Sequence, residues 1–292
     1  NGMLDIIVNP LAGGKKGKVM KKNLAAAKER LDARGVPYRL HFTEYEKHAI
    51  SLTEQIIDDG ATDVVAMGGD GTLNEVLNGL KEFDRVRFGL IPCGTGNDFA
   101  AAAHIPTDIA AAIDLIVDGE AKYTDFMQLP NLRGINIIGM GIDVSVLERY
   151  AKLKRKNKFG YTRSLISALM HMKFYDFTAR TAEGETHYRS LLANVCNGQM
   201  YGGGLAICPD ADIADGRLEF VAACDIAKRQ VPGLLLKLKK GKILEQPCIR
   251  HFPIEEIEII PEFPMVINID GELYRDVEFK LKLVKNTLKM YR

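Results

Sequence analysis

Gly68-Gly69-Asp70-Gly71-Thr72 sets one carboxylate inside a run of glycines. Glycine permits unusual backbone angles and the close approach of a ligand. The segment follows the apolar run Thr62 to Met67 and opens a stretch of helical spacing from about Leu73 to Lys81. A helix N-terminus offers free N–H groups to an anion. A carboxylate in a phosphate site makes sense with Mg²⁺ present, because carboxylate and phosphate oxygens can share the cation. Asn74 and Glu75, one turn on, are placed to orient the loop. The plainer alternative is a tight β-α turn with Asp70 capping the helix.

Pro92-Cys93-Gly94-Thr95-Gly96-Asn97-Asp98 is a second such loop. Thr95 can donate to a phosphate, and Asn97 and Asp98 can cap the next helix or reach a metal. A lone G-x-G carries little weight, and capping is its ordinary use. The third loop, Asn9 to Lys18, nearly matches the P-loop pattern and fails it. Ala12 stands six before Lys18, and Val19 stands where Ser or Thr is required. No G-x-G-x-x-G is present, which leaves a dinucleotide oxidoreductase unsupported.

The elements around these loops alternate. Residues 3–9 read as a buried strand rich in Ile and Val. Lys18 to Arg34 places Val19, Leu24, Ala27 and Leu31 on one helical face, and Gly35 with Pro37 ends it. A strand from Val36 to Thr43, a helix from Ala49 to Asp59, a strand from Thr62 to Met67, the helix near 73–81 and a strand from Val86 to Ile91 follow. This β-α alternation predicts an α/β domain: a doubly wound, mostly parallel sheet with helices on both faces. Ligands bind beyond the carboxyl ends of such strands, where all three loops fall.

From about Ala121 short β-type runs dominate, at 123–129, 134–138, 190–195, 217–222, 254–260, 265–269 and 277–284. Helical breaks are expected near 147–172 and 226–240. A second, mainly antiparallel domain follows from this texture.

The chain has 292 residues, 47% of them hydrophobic and 26% charged, with a net charge of +1. That is enough apolar material for real cores, and the balance does not indicate a nucleic-acid binder. The five cysteines contain no C-x-x-C and the six histidines no H-x-x-x-H, which argues against zinc and dithiol chemistry. There is no signal pattern and no apolar run of about 18 residues, so a soluble, reduced, cytoplasmic chain is expected. Asn1-Gly2 ahead of Met3 is set aside as foreign to the fold.

Asn9-Pro10 with Gly13, GGDGTLNE at 68–75 and PCGTGNDFA at 92–100 together resemble the bacterial diacylglycerol kinase-like lipid kinases, a family that includes the sphingosine and ceramide kinases. Asn136-x-x-Gly139-x-Gly141-x-Asp143, Asn197-Gly198-x-x-Tyr201-Gly202-Gly203-Gly204, Pro209-x-Ala211, Asp215-Gly216-x-Leu218 and Asp270-Gly271-Glu272 resemble its later motifs, in order along nearly the whole chain.

The resemblance implies an NAD kinase- or phosphofructokinase-like α/β domain, then a β-sandwich domain, with the active site in the cleft between them. The last strand would return to the first domain. The domains would then be 1–122 with about 287–292, and 123–286. ATP would be held by Asn9, Pro10, Gly13, Thr43, Gly68, Gly69, Asp70, Gly71, Thr72, Leu73, Asn74, Glu75, Thr95 and Asn97. Asp70 would also serve catalysis, and Asp270 or Glu272 would accept the proton of a lipid hydroxyl. A structural Mg²⁺ would sit at Asp212, Asp215 and the backbone carbonyl of Arg217, with Asp98 a further candidate ligand. Without the family, Asp270-Gly271-Glu272 reads as a β-turn.

Residues 149–163 hold seven Lys or Arg and no Asp or Glu, and Lys237 to Lys242 form a second basic stretch after Leu234–Leu236. The implied lipid substrate turns these toward an anionic membrane surface, with peripheral association at its inner face. Phe159, Leu165, Leu169, Met170, Met172 and Phe174 are candidates to line an acyl path, although core packing is their commoner role. A homodimer is compatible with these features. A soluble-substrate kinase of the NAD kinase type shares the GGDGT loop but not the other two. A non-catalytic lipid or nucleotide binder is the third class.

Overall fold

The computed structural model describes residues 2–14, 17–153 and 158–292. The chain divides into two compact units, Asn1–Asp125 with Lys285–Arg292, and Phe126–Val284.

In the first unit, β1 (Leu4–Val8), α1 (Lys18–Ala33), β2 (Tyr38–Phe42), α2 (His48–Asp58), β3 (Asp63–Gly68), α3 (Asp70–Gly79) and β4 (Arg87–Pro92) alternate, followed by α4 (Asp98–Ala102) and α5 (Ile109–Asp118). The strand order is β2-β1-β3-β4, all parallel. Every residue of β1 and β3 is buried, as a sheet covered by helices on both faces requires. α1 and α5 cover one face, packing Met20, Ala27, Leu31, Ile113 and Ile116 on Ile6, Val65 and Ile91. α2 and α3 approach closely at Gly79, where a Cβ would stand 2.4 Å from the Ile50 carbonyl oxygen.

α3 begins three residues before the apolar spacing predicts. Gly69 is its extended N-cap, and Asp70 places a carboxylate in its first turn, where the helix dipole favours it. α5 lies in a stretch the sequence reading passed over, IAAAIDLIVD, although Ile109, Ala112, Ile113 and Ile116 fall on one buried helical face.

The chain's last strand, β15 (Phe279–Tyr291), ends beside β4, with Lys289 and Met290 parallel to Arg87 and Phe88. The Tyr291 hydroxyl donates to buried Asp63, which Arg87 also engages at 2.6 Å.

In the second unit the end of β5 (Ala121–Gln128) pairs with β6 (Arg133–Gly134). Next come β7 (Ile137–Gly141), α6 (Ile142–Ala151), α7 (Lys158–Met170), β8 (Tyr175–Thr181), β9 (Gly184–Cys196) and β10 (Leu218–Cys224). A 3₁₀ turn (Lys228–Gln230), α8 (Val231–Lys239), β11 (Ile249–Ile254), β12 (Glu256–Pro261), β13 (Ile267–Ile269) and β14 (Glu272–Tyr274) complete it before β15. The order is β14-β13-β7-β9-β8-β12-β15, with β10 also on β9 and β11 on β10. All these pairings are antiparallel.

Successive residues of the strands feed opposite faces. Ile138, Ala193, Val195 and Phe220 enter one core. Ile137, Leu192, Cys196 and Val221 enter another, capped by Val146 of α6, Ala168 of α7 and Leu234 of α8. Leu165, Leu169, Met172 and Phe174 also pack partly buried on that second core, which is the packing role. Phe159 and Met170 are 79% and 68% exposed.

β9 runs six residues earlier than expected, because its first half is exposed and carries no hydrophobic signal. The run expected at 254–260 is broken at Glu255 into β11 and β12. The run at 134–138 likewise splits into β6 and β7. No helix among the described residues is long and apolar enough to cross a membrane.

Candidate active site

In the first unit the three loops leave one sheet edge, because Val8 pairs with Met67 and Gly68 with Pro92 in register. They also touch. A Cβ on Gly94 would stand 2.6 Å from the Gly69 Cα, and one on Gly13 would meet the Cys93 carbonyl oxygen at 3.0 Å. Gly13 also has φ 76°. The glycines therefore let backbone lie on backbone. Asn9 ties its own loop to the one at 68–72: its amide donates to Thr72 Oγ1 at 3.2 Å, and its Oδ1 accepts from Leu11 N at 3.0 Å.

Asp70 ties the loop at 68–72 to the one at 92–98. Its Oδ2 accepts from Asp98 N and its Oδ1 from Phe99 N, both at 3.3 Å, at the N-terminus of α4. Burial pushes the carboxyl pKa up, and the amides of Phe99 and Asp98 pull it back. A Cβ on Gly96 would lie 3.3 Å from both Asp70 Oδ2 and Asp98 Oδ2, so two carboxylates face one small residue.

Several residues expected at the nucleotide also build the loops. Leu73 is 1% exposed and its N–H is spent on the Gly69 carbonyl; Asn74 is buried as well. Glu75 accepts from Lys47 N at 3.1 Å and Ala49 N at 3.3 Å, capping α2. Asn97 closes its loop on itself through Gly94 N and O, at 2.9 and 3.1 Å. Thr95 is exposed, while Thr43, Pro10, Gly69 and Gly71 are half-buried.

In the second unit the later motifs converge on residues 135–137. Asp270 accepts from Ile135 N (2.8 Å), Asn136 N (2.8 Å) and Ile137 N (3.1 Å). Asn136 Nδ2 donates to the Met200 carbonyl at 3.0 Å, and Asn197 Nδ2 to that of Ile135 at 2.6 Å. Asp270 and Gly271, with φ 51° and 97°, form a two-residue hairpin turn flanked by the Ile269–Glu272 pair. The turn reading is thus correct as geometry, and it separates the two acids. The Asp270 carboxylate is buried and committed to three amides, while Glu272 is exposed. Asp270 is thus the acid that fixes the turn, and Glu272 is the one that leaves it toward the surface.

Asp143, in the first turn of α6, is buried, and burial raises its pKa to about 6 despite the Asn268 amide that lowers it. The folded state therefore binds the proton more tightly than the unfolded chain. The resulting stabilisation is present below pH 3.8 and is lost as pH rises through about 6. Asp143→Asn is expected to stabilise the protein at pH 8 by up to about 3 kcal/mol and to change nothing below pH 3.8. Urea unfolding of both proteins across that range is the measurement.

Asp215 accepts from Arg217 N at 3.0 Å through Oδ1 and from the Arg217 guanidinium at 3.2 and 3.0 Å through Oδ2. Asp212 Oδ1 accepts from Ala214 N at 3.0 Å. A guanidinium thus already neutralises the carboxylate that a divalent cation would need, and these residues do not fit Mg²⁺ as they stand. Among the described residues no three His, Cys, Asp or Glu are grouped to hold a metal.

Asn268 and Asn194 were missed by the sequence reading. Both are buried polar residues within strands. Their only signal is an Asn that interrupts an apolar run, at LLANV and VINID.

Residues 3–129 match a family model described as the diacylglycerol kinase catalytic domain. Residues 136–292 match the YegS C-terminal NAD kinase beta sandwich-like domain. A Staphylococcus epidermidis protein named diacylglycerol kinase is 30% identical over 270 residues, covering 91% of this chain and 84% of its own. An Enterobacter protein named probable lipid kinase YegS-like is 31% identical over 261 residues, covering 87% of this chain and 86% of its own. The crystal structure of a diacylglycerol kinase from Bacillus anthracis shares the fold, with a TM-score of 0.79 at 22% identity over 99% of this chain and 96% of the other.

Proposed function

The chain belongs to the diacylglycerol kinase catalytic-domain family, and from that premise we propose that it transfers the γ-phosphoryl group of ATP to the primary hydroxyl of a lipid, diacylglycerol foremost. The observation that carries this reading is an exposed carboxylate, Glu272, beside a turn that Asp270 pins through three amides. Phosphoryl transfer needs positioning and charge stabilisation more than covalent chemistry. The glycine loops at Gly13, Gly68–Thr72 and Gly94–Gly96 supply amides for the phosphates, with Asn9, Thr43 and Thr95 at their margins. The lipid oxygen attacks the γ-phosphorus as the bond to ADP breaks, and Glu272 takes the hydroxyl proton. Mg²⁺ accompanying ATP would neutralise phosphate charge. Asp70 and Asp98, both facing Gly96, are the residues present to share it.

The acceptor is the finer question. Phosphatidylglycerol, monoacylglycerol and a sphingoid base present the same hydroxyl. The deciding assay offers each of them, and NAD, with γ-labelled ATP. Label in phosphatidic acid above all other products is the expected result, and label in NAD would replace this reading with the soluble-substrate one.

Peripheral binding to anionic membrane belongs to the same proposal. Of the basic segment 149–163, residues 154–157 lie outside those described. Arg149 and Lys152 precede the exposed Phe159, Ile166 and Met170 of α7 in the chain, and Arg163 falls among them. No residue of α8 is fully buried; Leu236 is exposed, and Lys237, Lys239, Lys240 and Lys242 lie beside it. Cations around exposed apolar groups suit an anionic bilayer surface. In the same assay, rates on vesicles containing phosphatidylglycerol are expected to exceed those on neutral vesicles and to fall as salt rises.

A further inference from the structure

Asn268 sits in the middle of β13, 3% exposed, and none of the roles above uses it. Its Nδ2 donates to Asp143 Oδ2 at 3.0 Å. Its Oδ1 accepts from Gly271 N at 2.8 Å. One amide side chain therefore spans from a buried carboxylate to the residue bonded directly to Glu272. The orientation of the amide is fixed by its partners: a carboxylate can only accept and a backbone N–H can only donate, so each end has one assignment. No side chain of similar size other than an amide carries a donor and an acceptor on opposite edges. Asp in its place would turn a second acceptor toward Asp143, and Leu would offer nothing to either neighbour.

The surroundings are built to admit this link. Gly139 of β7 pairs with Asn268 on one side and with Asn194 on the other. A Cβ on Gly139 would stand 2.7 Å from Asp143 Oδ2 and 2.0 Å from Asn194 Oδ1. The glycine therefore leaves the space through which Asp143 reaches Asn268. Asp270 anchors one side of the hairpin turn through residues 135–137, and Asn268 anchors Gly271. The turn that carries Glu272 is thus held at both of its central residues.

We propose that Asn268, itself oriented by Asp143, is a positioning residue that sets the direction in which Glu272 leaves the turn. The proposal rests on the reading of Glu272 as the base. Displacement of a reacting group by about 1 Å can cost on the order of 10²-fold in rate, and Gly271 released from Asn268 is one bond from Glu272.

The test reverses the polarity of the pair. Asn268→Asp sets two carboxylates against each other, and their repulsion swings the side chain at 268 off both Asp143 and the Gly271 amide. Its kcat is expected to fall by about 10- to 10²-fold, with the KM for ATP unchanged. Asp143→Asn keeps an acceptor for Asn268 and is expected to lose less. The double variant, Asp143→Asn with Asn268→Asp, restores one donor and one acceptor in exchanged positions. It is expected to recover most of the rate lost in Asn268→Asp, which a purely structural role for either residue does not predict. Hydrogen exchange at the Gly271 amide, read by NMR without lipid, should speed up in Asn268→Asp and slow again in the double variant. Thermal melts confirm that each variant is folded. A double variant no faster than Asn268→Asp would overturn the proposal, as would unchanged Gly271 exchange in an active protein. If Gly271 exchange follows the expected pattern while the wild type phosphorylates no lipid, the kinase reading has failed and the catalytic role of Asn268 with it.

Discussion

Glu272→Gln is expected to lower kcat by about 10²- to 10⁴-fold, the ordinary cost of removing a general base, with the affinity for ATP unchanged. The substitution keeps the size of the side chain and removes only its ability to take a proton. Glu272 lies in the second unit, at the start of β14, on a turn whose geometry is set by Asp270 and Gly271. Asp270→Asn should behave differently. An amide cannot present acceptors to the three N–H groups of residues 135–137. Buried donors left without a partner cost about 1–3 kcal/mol, so this variant should lose stability together with turnover. Rates at saturating lipid, ATP binding by calorimetry and urea unfolding, measured for both variants, separate the two roles. Full activity of Glu272→Gln would mean that the exposed acid is not the base.

Asp70→Asn is the second change with a large expected effect. Both oxygens of Asp70 accept from the amides that open α4, so the carboxylate bridges two loops as well as facing Gly96 with Asp98. An amide at this position sets its NH₂ against one of those N–H groups and removes the negative charge. Electrostatic groups of this kind are worth about 10²- to 10³-fold in kcat, and a loss of that size or greater is expected, with a raised KM for ATP because the loop at 92–98 loses its tie. The KM for lipid should be unchanged. Initial rates over an ATP series at saturating Mg²⁺ provide the check, and wild-type kinetics would remove this loop from the account.

The first unit was legible because its chemistry is local. Glycines after apolar runs mark loops at strand ends, and parallel register alone then brings those loops together. What they do to one another was not legible. That Glu75 caps α2 and Asn97 ties its own loop depends on distances a motif does not encode. In the second unit the difficulty is one of separation. The amides that hold Asp270 lie more than 130 residues earlier in the chain, so the motif by itself reads as a turn, and only the resemblance reads it as a pair of acids. It is both, with one acid making the turn and the other leaving it. Asn268 was invisible for the same reason, since its two partners sit 125 residues before it and 3 after it. The exposed half of β9 escaped because a half-solvated strand carries no apolar run, whatever its pairing.

Mass spectrometry of the organic extract, after incubation of the wild-type protein with ATP, Mg²⁺ and diacylglycerol in phosphatidylglycerol vesicles, tests the central claim most directly. The account predicts phosphatidic acid formed in step with ADP, and neither product in excess of the other. ADP released without any phosphorylated lipid, from this or any other acceptor hydroxyl offered, would contradict it.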